Sequence, residues 1–189
     1  MTEETRVVLK LLAGLLDYPG SEGFWSRLSE WVEVADEVDP ELGRIMRRLE
    51  GQDRVALEKL YVETFDFDPK AGLYVTAHEL GDSRNRGEAL IELTNLYHEA
   101  GFEVPDDQLA DYLPMLLELM ALRSDFVPAP LVERVAKVGY NIFQHLGSAH
   151  PYRPLFSILN RVLGEPMGVL PSVEENPDLI GLPYPIEYQ

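Results

Sequence analysis

The sequence predicts an all-α fold: a single globular domain of about eight or nine helices, followed by an irregular tail. Apolar residues recur at helical spacing over most of the chain, and prolines, glycines and capping residues bound the periodic segments. No segment shows the alternation of apolar and polar residues that is typical of a strand. With 189 residues, of which 46% are hydrophobic, the chain is long enough to build one core.

The first two helices are predicted on either side of a break at Tyr18-Pro19-Gly20. Ser21 follows this break and is expected to cap the second helix. The apolar stripe of the first helix consists of Val7, Val8, Leu11, Leu12, Leu15 and Leu16. The inner side of the second is expected to carry Phe24, Trp25, Leu28, Trp31 and Val32.

The third and fourth helices are predicted from proline and glycine boundaries. Pro40 opens the third helix and Gly51 ends it, since proline suits the first helical turn and glycine the end. A fourth helix is predicted over Gln52–Phe65. Its inner residues are expected to be Val55, Leu57, Leu60, Tyr61 and Phe65. The turn-rich segment 66–72 is predicted to be a loop.

Three further helices are predicted in the centre of the chain. A short one covers Leu73–Leu80, and a long one is capped by Asp82 or Ser83 and closes at Gly101. The inner face of the long helix is expected to be Leu90, Ile91, Leu93, Leu96 and Tyr97. A third helix is predicted over residues 105–122, with a kink or a restart at Pro114, because proline lacks the backbone N–H that a helix interior uses.

The last two helices are predicted over residues 128–146 and 152–163, so that residues 1–163 form the helical domain. From Gly164 onward the periodicity ends and prolines become frequent. These are Pro166, Pro171, Pro177, Pro183 and Pro185. We therefore predict that residues 164–189 form an extended, acidic, Pro-rich tail, either mobile or laid on the helical body.

Composition excludes several function classes. The chain has 16 basic and 33 acidic residues, a formal net charge of −17, which argues against binding to nucleic acid or to an anionic membrane. There is no cysteine, so no disulfide, Cys-ligated metal or thiolate nucleophile can form. No apolar run is long enough to insert into a membrane, and Glu3 and Glu4 do not suit a signal peptide. We expect a cytoplasmic protein.

Catalytic and cofactor motifs are absent from the sequence. Neither GxGxxG nor GxxxxGK[ST] occurs, and the four histidines show no metal-ligand spacing. His78 is therefore expected to be structural, His98 to be solvated, and His145 and His150 to lie near a helix end. We predict a protein that is not an enzyme and that binds no permanent cofactor.

An acidic, methionine-containing stretch is the strongest binding signal. Residues 99–125 contain seven acids and one base, and Met115 and Met120 lie among leucines. Methionine adapts to partners of different shape, and an acidic rim attracts basic helices. The simpler alternative is that both methionines belong to the core and that the acids only solvate a helix.

Two stretches resemble a known family. They are YVETFDFDPKAGLYVTAHELGDSRNRGEAL at 61–90 and LADYLPMLLELMA at 109–121, supported by LLAGLLDYPG at 11–20 and HEAGFE at 98–103. The chain resembles the respiratory nitrate reductase assembly chaperones (NarJ family), within the TorD-like redox-enzyme maturation proteins. The wider family has an acidic E-P-x-D-H-type motif. Here Asp111 matches its acid and Tyr112 stands in place of its histidine, which makes a twin-arginine-reading role less expected.

The resemblance implies a TorD-like all-α fold and a system-specific chaperone in the cytoplasm. Such a protein binds the N-terminal segment and the apoprotein of the nitrate reductase catalytic subunit. It keeps that subunit competent for molybdenum cofactor insertion, delays its membrane docking and does not remain in the final enzyme. Molybdenum cofactor biosynthesis proteins are further expected partners.

We predict that the groove for this segment combines residues from both stretches. Asp111 and Glu118 are expected to face cations of the segment, whereas Tyr74, Tyr112 and Met115 contact its apolar side. Arg84 and Arg86 are expected to order the loop after His78 or to touch the partner. The full set is Tyr61, Phe65, Tyr74, His78, Arg84, Arg86, Asp111, Tyr112, Pro114, Met115 and Glu118.

Three alternatives remain open at this point. The client could be another molybdenum oxidoreductase, of the dimethyl sulfoxide, selenate or chlorate reductase type. The protein could bind or hydrolyse nucleotides, although no phosphate-cradling loop supports this. It could also be a structural adaptor that stays in the mature complex.

Overall fold

Nine α-helices form the regular structure of residues 1–21 and 23–164, which are the residues that the computed structural model describes. They are α1 Glu3–Leu15, α2 Phe24–Val38, α3 Pro40–Glu50, α4 Arg54–Phe65, α5 Ala77–Leu80, α6 Arg84–Glu99, α7 Leu113–Leu122, α8 Ala129–His145 and α9 Arg153–Leu163. The all-α prediction is confirmed. The tail predicted from Gly164 lies, after that residue, outside the described residues.

Helix α1 occupies the centre of the domain. It packs against α7, α2 and α9, while α2 packs on α3 and α8 on α9. The predicted stripe is largely buried, with Leu12 and Leu16 fully enclosed, and Leu9, which the prediction did not include, is fully enclosed as well. Burial of leucine side chains of this kind contributes about 1.5–3 kcal/mol each. The contact between α1 and α7 is therefore a main support of the surface described below.

Several helix boundaries follow from local chemistry, as predicted. Asp39 caps α3 by accepting hydrogen bonds from the N–H groups of Glu41 and Leu42, and Pro40 fills the first turn. Gly101, at φ 87°, closes α6, and the N–H of the next residue bonds back across the helix end. This left-handed conformation is one that glycine adopts at little cost.

The predicted helix over residues 105–122 is wrong in its first half. Helix α7 begins only at Leu113, with Pro114 in its first turn, so Pro114 marks a restart. Continuing the helix through Pro114 would leave the carbonyl of Ala110 without its bond and against the proline ring. Residues 111–113 instead form backbone hydrogen bonds with another segment.

The predicted helix over Leu73–Leu80 is also too long. Helix α5 covers only its last four residues, Ala77–Leu80. Residues 73–75 lie outside the helix, because the carbonyl of Leu73 accepts from the N–H of Leu113 and the N–H of Val75 donates to the carbonyl of Asp111. A tertiary contact has overridden the local pattern here.

Three side chains lie elsewhere than predicted. Val55 and Ile91 are 71% and 63% exposed, not buried. Each comes two residues before a buried leucine, a rotation of about 200° on a helix, and so lies on the opposite face. Ser21 does not cap α2: its hydroxyl donates to Asp17, and Gly23 is the N-cap residue.

None of the described helices has the length and apolar character needed to cross a membrane.

Candidate functional site

The two stretches singled out in the sequence lie side by side in the fold. The Leu113 N–H donates to the carbonyl of Leu73 over 2.7 Å, and the Val75 N–H donates to the carbonyl of Asp111 over 2.9 Å. These bonds pair Tyr74 with Tyr112 in an isolated antiparallel bridge. The two rings lie with their centroids 5.6 Å apart. Residues distant in sequence therefore form one surface.

Asp111 anchors this pairing from inside the protein. Its Oδ2 accepts hydrogen bonds from the backbone N–H and the hydroxyl of Thr76, over 3.0 and 2.5 Å, and lies 3.6 Å from the Arg86 guanidinium. Its Oδ1 has no hydrogen-bond partner among the described residues. The side chain is 0% exposed, so the prediction that Asp111 faces cations of a partner is wrong. The carboxylate is used to hold the segment 73–76.

The first of three clefts, which we call the tyrosine cleft, lies next to the Tyr74–Tyr112 bridge. It has a volume of ≈ 240 Å³. Its lining consists of Tyr18, Tyr61, Val62, Phe65, Asp66, Leu73, Tyr74, Gln108 and Tyr112. Tyr74 donates its hydroxyl proton to Gln108 over 3.1 Å. Four of the predicted groove residues thus come together here, with Tyr61 and Phe65 buried as its floor.

Burial keeps the side chains of Tyr61 and Tyr112 neutral. It raises the pKa of Tyr61 and of Tyr112 far above the ordinary range, and the contact between the two hydroxyls contributes to the shift at Tyr61. Both side chains therefore act as hydrogen-bonding aromatic surfaces at any physiological pH.

Exposed apolar side chains flank the tyrosine cleft. Phe67, directly after the lining residue Asp66, is 78% exposed, and Leu109, directly after Gln108, is 43% exposed. Large apolar groups so exposed around a concavity are typical of an interaction surface.

The second cleft, the α1–α7 cleft, has a volume of ≈ 280 Å³. Its lining consists of Lys10, Ala13, Gly14, Asp17, Arg27, Trp31, Tyr112, Pro114, Met115 and Glu118. A Cβ atom on Gly14 would lie 2.4 Å from the Trp31 ring, so only glycine lets this indole approach α1 so closely.

The charges in the α1–α7 cleft are balanced, contrary to the acidic groove that we expected. Glu118 pairs with Lys10, and Asp17 lies 3.7 Å from Arg27. The cleft combines apolar and aromatic surface with two ion pairs.

The third cleft, the outer cleft, lies on the other side of Met115 and has a volume of ≈ 220 Å³. Its lining consists of Tyr97, Phe102, Glu103, Pro105, Met115, Glu118, Leu119 and Leu122. Tyr112 is shared by the first two clefts, and Met115 and Glu118 are shared by the second and third. The three clefts therefore adjoin one another along α7, and we call them together the α7 surface.

The sequence left open whether Met115 and Met120 line a binding groove or belong to the core, and the structure gives a different answer for each. Met120 is fully buried and belongs to the core. Met115 is half-buried and lines two clefts. Its flexible thioether can adjust to a ligand.

Besides Asp111, three predicted groove residues do not line the α7 surface. His78 Nε2 lies 2.7 Å from the carbonyl of Gly72 and donates to it, and burial lowers the pKa of this imidazole. Arg86 donates to Thr76 and approaches Asp111 and Asp82. Arg84 is exposed in the first turn of α6. His78 and Arg86 thus order the segment 72–76, which precedes His78, whereas the sequence led us to expect that Arg84 and Arg86 order the loop after His78.

Sequence reasoning missed the contribution of the N-terminal helices to the α7 surface. The missed side chains are those of Lys10, Asp17, Tyr18, Arg27 and Trp31. One signal was available: Gly14 lies inside a helical pattern, and such a glycine often has a packing reason.

No group of three or more His, Asp or Glu side chains among the described residues could hold a metal ion. The chemistry of the α7 surface is that of recognition, through aromatic, aliphatic and paired charged groups.

A family model described as the nitrate reductase delta subunit matches residues 27–130, more than half of the chain. The chain belongs to the nitrate reductase delta subunit family. This confirms the resemblance inferred from the two central stretches. The matched range includes both residues of the Tyr74–Tyr112 bridge and all of α7, whereas α1 lies outside it.

Named relatives of this family are similar to the chain. It is 33% identical over 126 residues to the probable nitrate reductase molybdenum cofactor assembly chaperone NarJ of Bacillus subtilis, which covers 64% of this chain and 67% of that protein. It is 30% identical over 122 residues to the nitrate reductase molybdenum cofactor assembly chaperone NarJ of Escherichia coli, covering 61% of this chain and 51% of that protein.

A longer protein contains a similar segment. The chain is 30% identical over 115 residues to the nitrate reductase-like protein NarX of Mycobacterium tuberculosis, and the match covers 18% of that protein. The chain thus spans about half of the Escherichia coli relative and less than a fifth of this one.

Proposed function

We propose that this protein is a chaperone that binds the N-terminal segment of a nitrate reductase catalytic subunit. It keeps the apoenzyme competent for molybdenum cofactor insertion, delays its membrane docking, and is not part of the final enzyme. The α7 surface carries this proposal, because three adjoining clefts with exposed apolar rims offer a site for an extended or helical segment. The names of the relatives support the choice of client.

The dimensions of the α7 surface suit a short peptide. Helix α7 has ten residues and is about 15 Å long. A bound helix of about ten residues would span the same length. Its apolar side chains would occupy the tyrosine cleft and the α1–α7 cleft on either side of Tyr112, and further contacts would reach Leu122 in the outer cleft.

The charge of the protein favours a basic segment. The chain carries a net charge of −17, and Asp66 and Glu103 are exposed carboxylates at the tyrosine and outer clefts. Such a field raises the association rate of a cationic peptide, while the apolar clefts retain it. Salt is therefore expected to weaken binding mainly by slowing association.

The maturation role follows from occupying a segment of the client. A client segment held on the α7 surface is unavailable for assembly on the membrane, and its release permits docking once the cofactor is in place. The protein works in the cytoplasm without a permanently bound cofactor and without catalysing a reaction. Molybdenum cofactor biosynthesis proteins are further proposed partners, and nucleic acid is not.

Calorimetric titration with a synthetic peptide of the first ~15 residues of the nitrate reductase catalytic subunit tests the proposal. We expect binding that weakens between low and high salt. Phe67→Ser should weaken it several-fold, because this exposed ring flanks the tyrosine cleft. Val55→Ser is the matched control: Val55 is equally exposed but lies at the far end of α4, about 15 Å from Phe65.

Two outcomes would contradict the proposal. Absence of binding would exclude this segment, and peptides from dimethyl sulfoxide, selenate and chlorate reductases would then test the other clients. If Phe67→Ser and Val55→Ser weakened peptide binding equally, the peptide would not bind at the α7 surface.

The family description favours one competing function. A delta subunit could remain in the enzyme as a structural component. Quantification of this protein in the purified membrane enzyme separates the two, since a chaperone is absent from the mature complex and a subunit is present in a fixed ratio.

A further inference from the structure

Lys10 and Glu118 form an ion pair across the α1–α7 cleft. Lys10 comes from α1 and Glu118 from α7, and both line this cleft. Their side chains are 39% and 46% exposed, so the pair is at the surface and not part of the core. Neither residue is needed to fill a buried space.

Glu118 lies where it could pair with a basic side chain of a bound segment. Its carboxylate lines the α1–α7 cleft and the outer cleft, beside Met115, which lines the same two. A peptide lying across Met115 with its apolar side inward would place any adjacent basic side chain near Glu118. In the free protein, the Lys10 ammonium group already donates a hydrogen bond to this carboxylate.

We propose that Lys10 is a built-in competitor: it pairs with Glu118 in the free protein and is displaced by a cationic side chain of the bound segment. This inference rests on the proposed function, since it names the group that the α7 surface uses to recognise a basic segment. It concerns a residue outside the range that the family model matches.

The exchange is energetically feasible because exposed ion pairs contribute little to stability. The long lysine stem can swing its ammonium group into water without moving α1. Each departing client cation is replaced by Lys10, so the free state never leaves Glu118 unpaired. Binding becomes weaker and release faster than they would be without Lys10.

The competitor also affects selectivity. Only a segment with a basic residue at the matching place meets this competition, because a segment without one leaves Lys10 paired with Glu118. Recognition at Glu118 would then depend on charge, whereas recognition in the tyrosine cleft depends on apolar contact.

Titration of Lys10→Met with the N-terminal peptide of the catalytic subunit tests the inference. Methionine keeps most of the stem and removes the charge, and we expect binding about two- to five-fold tighter, with slower dissociation. Lys137→Met is the matched control: it makes the same charge change on α8, and Lys137 lines none of the three clefts. It should leave the affinity within error of wild type.

Two further measurements separate competition from a general effect of charge. In a Glu118→Gln background, Lys10→Met should no longer tighten binding, because the contested carboxylate is gone. A peptide with its Lys and Arg residues replaced by Gln should likewise bind wild type and Lys10→Met equally.

The outcomes distinguish this inference from the proposed function. If wild type binds the peptide and Lys10→Met binds no tighter, or if Lys137→Met tightens binding equally, the competitor is refuted and the chaperone proposal stands. If neither wild type nor Lys10→Met binds the peptide, both are refuted.

Discussion

The hydroxyl groups of Tyr61 and Tyr112 lie 2.7 Å apart beneath the boundary of the tyrosine cleft and the α1–α7 cleft. The Tyr61 hydroxyl also bonds to the carbonyl of Leu16 over 3.0 Å, and the proton of this bond can come only from Tyr61. Tyr112 is therefore the donor in the bond between the two tyrosines. This chain of bonds fixes the ring that both clefts share.

Replacement of each tyrosine by phenylalanine should have unequal effects on stability. Tyr112→Phe removes one hydrogen bond and leaves Tyr61 bonded to Leu16, which costs about 1 kcal/mol. Tyr61→Phe leaves both the Leu16 carbonyl and the Tyr112 hydroxyl without partners in a buried place, which costs about 2–3 kcal/mol. Urea unfolding of the two variants measures this order, and an equal or reversed order would contradict the assigned direction of donation.

Substitution of Asp111 should damage the fold and not merely a binding contact. Asp111→Ala removes the acceptor of two Thr76 bonds and leaves Arg86 without its buried partner, at a cost of about 3–5 kcal/mol. The exposed acids Asp106 and Asp107, changed to Ala, are the controls and should alter the unfolding free energy by less than about 0.5 kcal/mol. Equal stabilities of all three variants in urea unfolding would refute the anchoring role.

A methyl group at Gly14 should displace Trp31. Alanine would gain about 1 kcal/mol in helix propensity, but its Cβ would lie 2.4 Å from the indole ring, and overpacking of this kind costs about 1–3 kcal/mol. We expect Gly14→Ala to be neutral or destabilising and to shift the fluorescence of Trp31, read in a Trp25→Phe background. Gly87→Ala is the control, since a Cβ there meets nothing within 4 Å and should be stabilising. An unchanged Trp31 spectrum would contradict the close approach.

Much of the fold could be predicted because most helices are stabilised by a local pattern. The boundaries of α3, α8 and α9 follow from prolines, glycines and apolar spacing, and the structure reproduces them within one or two residues. The helix predictions fail where a long-range contact determines the backbone conformation. Residues 73–75 and 111–112 lie outside the helices because residues 73–75 bond to residues 111–113, and no local pattern shows a pairing partner.

The same reasoning explains which site residues could be predicted. The central stretches supplied Tyr74, Tyr112 and Met115, all of which lie on the α7 surface. The prediction for Asp111 was wrong because an acid in an acidic stretch is expected to be solvated. Its role in holding the segment 73–76 follows only from its contacts with Thr76 and Arg86 in the folded structure. Lys10 was missed because its position opposite α7 is a property of helix packing.

The buried state of His78 makes stability depend on pH. Burial lowers the pKa of this imidazole below its ordinary value of 6.5, although the hydrogen bond from its Nε2 to the Gly72 carbonyl and the nearby Glu79 and Asp111 oppose the shift. Below pH 6.5 the unfolded chain takes up a proton that the folded chain does not, so stability falls as the pH is lowered from there towards the folded-state pKa. His150, whose pKa burial also lowers, contributes with the same sign.

Urea unfolding between pH 7 and pH 5.5 tests this linkage. The wild-type free energy of unfolding should fall over this interval, by at most about 1.4 kcal/mol per pH unit for each of the two histidines. His78→Gln retains an N–H donor for Gly72 and cannot titrate, so its decrease should be smaller. His98→Gln, at an exposed position on α6, should keep the wild-type decrease. If His78→Gln showed the full wild-type pH dependence, burial of the neutral imidazole would not be its source.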